Sequence, residues 1–189
     1  MQFYDHEQVE VMFSAEDIQK RITELGAMIT EEYKGLDAPL VLIGVLKGSF
    51  LFMADLCRAV DLPIEVDFLG LSSYGHAQES SGVVRVTQDL SRSIEGKHVL
   101  VVEDIIDTGL TMQYLLENLG TRRPESIKVA SLLSKPARSQ VSIHIDYLGF
   151  EIPDRFVIGY GLDFASKFRN LPFIGVNLGS ELPLNPDHR

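Results

Sequence analysis

The stretch Val99-Leu-Val-Val-Glu-Asp-Ile-Ile-Asp-Thr-Gly-Leu-Thr111 decides the reading of this chain. His98 to Glu103 is a short, mostly apolar and branched run, as a strand buried on both faces requires. Leu110 to Leu119 reads as a helix closed by Gly120. Between them, three carboxylates, Glu103, Asp104 and Asp107, are crowded into five residues. Stability does not ask for this, because close like charges repel and raise one another's pKa. An adjacent acidic pair at a strand end can instead hold the two hydroxyls of a ribose, or a magnesium ion. The turn Asp107-Thr-Gly-Leu-Thr111 leads directly into a helix N-terminus, whose free amides and dipole attract a phosphate monoester. Gly109 permits close backbone approach, and Thr108 and Thr111 add hydroxyl donors. Taken singly, Asp107 is an ordinary N-cap and Glu103-Asp104 a solvated strand end; only the assembled pattern asks for a ligand.

Outward from this segment, strands and helices alternate. Ser14 opens a helix with Asp17 three residues on as a capping-box-like pair, and Ile18, Ile22, Leu25, Ile29 and Tyr33 continue its apolar stripe until Gly35. Leu40-Val-Leu-Ile-Gly-Val45 is a second doubly buried strand, and Ile127 to Leu133 is a third. A helix is expected from about Ser49 to Val60. Ile64 to Phe68 alternates with period two, as a strand with one wet face does. Ser72 to Gly82 is a long loop of small polar residues, the pattern of a mobile functional loop. Val83 to Thr87 is expected to pair locally, with short strands over His144 to Leu148, Phe156 to Gly159 and Phe173 to Val176. The expectation is an α/β domain around a mainly parallel sheet, with ligands beyond the carboxyl ends of its strands.

Composition narrows the function classes. Apolar residues make up 45% and charged residues 23% of the 189 residues, ordinary values for a globular chain. Nothing in the sequence marks a linker or repeat, so one domain over residues 1–189 is expected. The net charge of −10 argues against a broad nucleic-acid footprint, which runs on excess Lys and Arg. No stretch approaches the roughly 20 apolar residues of a membrane span. The single cysteine, Cys57, lies in an apolar run and reads as a buried thiol. A cytoplasmic location is expected. The five histidines show no metal-ligand spacing.

The acidic strand end and its phosphate turn resemble the phosphoribosyl-pyrophosphate signature of the type I phosphoribosyltransferases. The form is that of the hypoxanthine-guanine enzymes, and the bacterial hypoxanthine enzymes are the most similar. The likeness runs from the strand that starts at Leu40 to about Asn177. It implies that Glu103 and Asp104 bind the ribose hydroxyls and magnesium, and that Asp107 is the general base toward the purine. It places Thr108, Gly109, Leu110 and Thr111 around the 5-phosphate. Position 110 is Leu where some relatives carry a polar residue, a departure that backbone amides can absorb.

The same resemblance gives roles to residues that are bland on their own. Lys47-Gly48 is by itself an ordinary turn and no Walker motif, but in the family this turn contacts pyrophosphate, often through a non-proline cis peptide. Lys135, followed by the stiffening Pro136, corresponds to the lysine that donates to the exocyclic oxygen of the purine. Phe156 would stack on the base, with main-chain groups of Val157 at its edge. Asp163, in that base-binding segment, resembles a second magnesium-linked acid, and Arg169 a pyrophosphate ligand with a fixed fork of donors. Ser73 and Tyr74 begin the loop that closes over the reaction. The resemblance also implies a small base-binding hood and a homodimer or homotetramer.

The implied reaction is transfer of a 5-phosphoribosyl group to a 6-oxopurine such as hypoxanthine, releasing pyrophosphate. Three rivals are distinguishable. The first is the same fold acting on guanine or xanthine, separable by assay of the four bases. The second is a nucleic-acid-binding regulator that keeps the pocket; it would need a basic surface and need not keep Asp107 or Lys135. The third is a nucleotide-binding module without catalysis, which would not need the full set of acids.

Overall fold

The structure is a computed structural model that describes residues 4, 8–73 and 84–179. The elements run β1 (Val9–Phe13), α1 (Ala15–Glu32), β2 (Leu40–Leu46), α2 (Phe50–Ala59), β3 (Ile64–Ser73), β4 (Val84–Gln88), β5 (His98–Ile106), α3 (Leu110–Gly120), β6 (Ser126–Ser134), a 3-10 turn (Pro136–Arg138), β7 (Tyr147–Glu151), β8 (Val157–Ile158) and β9 (Ile174–Asn177). Six strands form the main sheet in the order β4-β3-β2-β5-β6-β7. All neighbours are parallel except β4, which pairs antiparallel with β3. The α/β expectation holds.

Period-two alternation explains how each strand of the middle of the sheet serves two cores. Leu40, Leu42, Leu100 and Val102 face α1 and α2; Val41, Ile43, Val45, Val99 and Val101 face α3. Helix α1 contributes Ile18, Ile22, Leu25 and Ile29, all essentially inaccessible. Each such side chain gains about 1.5–3 kcal/mol over exposure. Its start is fixed by a complete capping box: the Ser14 hydroxyl accepts from the Asp17 amide, and the Ser14 amide donates to the Asp17 carboxylate. Arg21 pins the helix to the sheet by donating to the carbonyls of Leu148 and Gly149.

Chain order places the site. From β2 the chain moves outward to β3, then returns across the sheet to β5 on the other side of β2. The connections leave the carboxyl ends of β2 and β5 in opposite directions, which opens a crevice between them. Lys47-Gly48 follows β2, and the three acids lie at the end of β5.

Several boundaries differ from expectation. The acids are not beyond a strand ending at Glu103: β5 continues to Ile106, and Ile105 and Ile106 still pair with Leu133 and Ser134 of β6. β3 extends through Ser73, so Ser72 and Ser73, expected in a loop, belong to the strand; Tyr74 to Gly82 lie outside the described residues. The strand expected at His144 to Leu148 is shifted to Tyr147–Glu151, because the Asp146 carboxylate accepts from the Val129 amide and occupies the edge of β6 before β7 begins. β1 was not anticipated. It completes a small antiparallel sheet, β1-β9-β8, apart from the main one.

Candidate active site

Two turns meet in the crevice. The Leu46-Lys47 peptide is cis. Gly48 then packs against Asp104 so closely that a Cβ on it would lie 1.5 Å from Asp104 Oδ2. Only glycine lets the acid occupy that position. Asp104 Oδ1 accepts from the Ile105 amide at 2.9 Å, and Glu103 Oε1 accepts from the Asp104 amide at 3.2 Å. Glu103 is buried, and that burial, with the Asp104 charge next in importance, pushes its carboxyl well above the usual range.

The turn after β5 leaves α3 open. Its N-cap is Gly109 at φ 85°, with no side chain capping the helix. Asp107 therefore is not the cap that its position suggests. A side chain at Gly109 would meet the Val141 carbonyl at 2.6 Å besides being strained at that φ. The first amides of α3 have no intrahelical partner and face outward as an anion site.

These elements line a cavity of about 570 Å³ together with Asp163 and Arg169. Its walls include Lys47, Gly48, Glu103, Asp104, Asp107, Thr108, Gly109 and Thr111. Leu110 is not in the wall; its amide lies beside the Thr108 hydroxyl at 3.5 Å. Arg169 donates to the Gly161 carbonyl at 2.6 Å and pairs with Asp163 Oδ1 at 2.6 Å, while Asp163 Oδ2 accepts from the Ser166 amide. Among the described residues, no three Asp, Glu, His or Cys side chains cluster as a metal cage.

A neighbouring cavity of about 520 Å³ shares Ile106 and Asp107 with the first and includes Lys135. Asp107 thus stands in the wall between the phosphate turn and Lys135. Its Oδ1 has no aligned hydrogen bond but lies 2.8 Å from Arg138 Nε. The side chain as a whole stays 40% exposed, so the rest of the carboxylate faces the cavities. Lys135 is buried, with Asp154 Oδ1 3.7 Å from its Nζ.

The other expected base contacts line neither cavity. Phe156 is 52% exposed and meets Phe164 edge-on at 5.3 Å between centroids; Val157 is buried in β8 opposite Val176. Asp163 sits with the phosphate-side residues rather than with Lys135. Of Ser73 only its place in β3 is described, and Tyr74 lies outside the described residues. Arg138 and Asp154, which the structure brings to Asp107 and Lys135, were missed, and no local signal in the sequence marks them.

Known proteins share this fold and much of this sequence. The model of the phosphoribosyl transferase domain matches residues 14–165. The chain belongs to the phosphoribosyl transferase family. It is 50% identical to the hypoxanthine phosphoribosyltransferase of Salmonella typhimurium over 88% of this chain and 94% of that one. The hypoxanthine-guanine phosphoribosyltransferase of Bacillus subtilis is likewise 50% identical, over 90% and 94%. The crystal structure of a hypoxanthine phosphoribosyltransferase from Staphylococcus aureus superimposes with a TM-score of 0.86 at 44% identity, covering 96% of this chain and 95% of that one.

Proposed function

We propose that this phosphoribosyltransferase moves the 5-phosphoribosyl group of phosphoribosyl pyrophosphate onto hypoxanthine, and onto guanine as a second substrate. The observation that carries the reading is Asp104 packed on Gly48, in one cavity with Glu103, the uncapped start of α3 and Arg169. A phosphate, a ribose diol and a pyrophosphate each find matching groups there.

The bond from the anomeric carbon to pyrophosphate breaks, and its electron pair leaves with pyrophosphate. A purine ring nitrogen attacks the opposite face, so the centre inverts. Asp107 takes the proton from the base as it becomes a nucleophile. Amides of the Lys47-Gly48 turn and the Arg169 guanidinium stabilise the leaving charge. Lys135, with three donors and no acceptor, meets the purine oxygen. Phe156 is assigned to the ring face and Val157 to its edge.

The donor chemistry fits magnesium. Glu103 and Asp104 are hard oxygen ligands whose charges oppose one another, with Asp163 on the same cavity. With no three-acid cage among the described residues, they suit an ion that keeps water and substrate oxygens as most of its ligands. When bound, magnesium supplies positive charge against the ribose hydroxyls and the departing pyrophosphate. The reading carries with it a single domain over residues 1–189, a homodimer or homotetramer and a cytoplasmic setting, as the family resemblance implies.

The test is steady-state kinetics with hypoxanthine, guanine, xanthine and adenine, with phosphoribosyl pyrophosphate, with magnesium and with excess chelator. Hypoxanthine and guanine should be used, adenine hardly at all, and chelator should abolish turnover. Adenine sets a donor against Lys135, and sites built on such a bond can reject the wrong partner by ~10⁴-fold. Lys135→Ala should cut hypoxanthine use and narrow its advantage over adenine. Efficient adenine use by the unmodified protein would overturn the assignment of Lys135.

A further inference from the structure

The base side of the site is crossed by a line of four alternating charges. Asp154 Oδ1 lies 3.7 Å from Lys135 Nζ and 3.5 Å from Arg138 Nη1, and Arg138 Nε lies 2.8 Å from Asp107 Oδ1. Local structure explains how two cations come to share one oxygen. Lys135 and Arg138 flank a single 3-10 turn, closed by the Arg138 amide on the Lys135 carbonyl, and residues three apart in such a turn point the same way. Asp154 is brought to them by the segment after β7, where the Ile152 amide donates to the Ser134 carbonyl at the end of β6.

The burial of these partners is unequal. The Lys135 side chain is only 9% exposed, and Asp154 is the acid paired with it among the described residues. A buried ammonium without a carboxylate is costly to hold in place. At 3.7 Å the pair is close enough to fix the ammonium yet longer than a hydrogen bond. Its three donors therefore stay available for the carbonyl oxygen of a base. Arg138 is divided in the same way, one nitrogen toward Asp154 and another toward Asp107.

We infer that Asp154 is a positioning residue of the base site, acting through Lys135 and Arg138 rather than on the substrate. This rests on the proposed reaction, in which Lys135 meets the purine oxygen and Asp107 takes its proton. Without the Asp154 charge, Lys135 loses its anchor and the Arg138 guanidinium belongs wholly to Asp107.

Asp154→Asn keeps the shape of the side chain and removes the charge, and Asp154→Glu keeps the charge. Asp154→Asn should raise KM for hypoxanthine on the order of tenfold, the size of coupling expected between neighbouring charges. KM for phosphoribosyl pyrophosphate and the Tm should hardly move, and Asp154→Glu should recover most of the loss. In a Lys135→Ala background, Asp154→Asn should add less than about twofold, because the group it acts through is gone. Equal losses for both substrates, a lowered Tm that accounts for the defect, or fully additive effects would overturn the inference. So would an Asp154→Asn enzyme that matches a fully active unmodified one. If the unmodified protein turns over no 6-oxopurine at all, the reaction itself is misread and the inference falls with it.

Discussion

Glu32 and Glu103 lie toward opposite ends of the main sheet and are treated in opposite ways. Near the strand starts, Glu32 accepts from Lys128 Nζ and from the Tyr147 hydroxyl, and Lys128 also lies over the Tyr33 and Tyr147 rings. Close by, Lys97 pairs with Glu65 at 2.7 Å and His98 meets Ser126 at 2.7 Å. Charges there are matched with opposite partners. At the strand ends, Glu103 is buried beside Asp104, and among the described residues only the Asp104 and Ile105 backbone amides donate to the pair. The first end stabilises the folded chain, and the second is the end where the proposed ligand would bring the missing positive charge. Changes at the two ends should therefore separate stability from activity.

The largest separation is expected at Asp107. Asp107→Asn removes the proposed proton acceptor, and turnover should fall by ~10²–10⁴-fold, the range for general base catalysis. The Tm should stay close to that of the parent, because Gly109 and not Asp107 caps α3. Measured kcat for hypoxanthine and a melting curve on the same preparation decide it. Near-normal turnover would move the base role elsewhere. A large fall in Tm would make the Asp107–Arg138 pair structural and blur the contrast between the two ends.

What the sequence disclosed follows the same division. The doubly buried strands, the capping box of Ser14 with Asp17, and the turn at Asp107 to Thr111 each have a local signature, and each is found in place. Glu103 with Asp104 stood out because two adjacent acids have no structural reason to stand near the end of a buried strand. The packing of Asp104 on Gly48 was not legible, since β2 and β5 meet only through the fold. β1 pairs with β9 from the far end of the chain, and nothing within Val9–Phe13 announces a partner. Arg138 and Asp154 look like solvated loop charges until the end of β6 and the segment after β7 bring them together. The register of β7 was missed because a side chain, Asp146, takes the first edge position that a strand residue would otherwise hold.

Glu103→Gln sharpens the comparison with effects of opposite sign. Burial and Asp104 raise the Glu103 carboxyl in the folded chain above its ordinary value. The folded state thus binds this proton more tightly than the unfolded one. Stability from it is fully present below the ordinary carboxylate range and is lost as pH rises toward the raised value. Gln cannot titrate and carries no charge. Without divalent cations, the variant should melt above the parent at neutral pH, by a margin that grows from about pH 4.5 upward. Its turnover should fall, since a proposed ligand is gone. Melting curves that run parallel over the whole pH range would show that Glu103 is not strained by its surroundings.

The smallest effect, and the complement of the last, is expected for Glu32→Gln. Lys128 first, and the Tyr147 hydroxyl second, hold the Glu32 carboxyl below its ordinary value in the folded chain. A depressed carboxyl stabilises the fold above the unfolded value and loses that contribution as pH falls through the folded one. The variant should therefore melt slightly below the parent at neutral pH, and the gap should close below about pH 4.5. The shift should be small, because the pair is partly open to solvent, Lys128 30% and Glu32 43% exposed, and ions screen it, so added salt should narrow the gap further. Activity per folded molecule should be unchanged, as Glu32 lies far from the crevice between β2 and β5. A variant whose kcat falls while its Tm holds would tie the two ends of the sheet together and end the contrast.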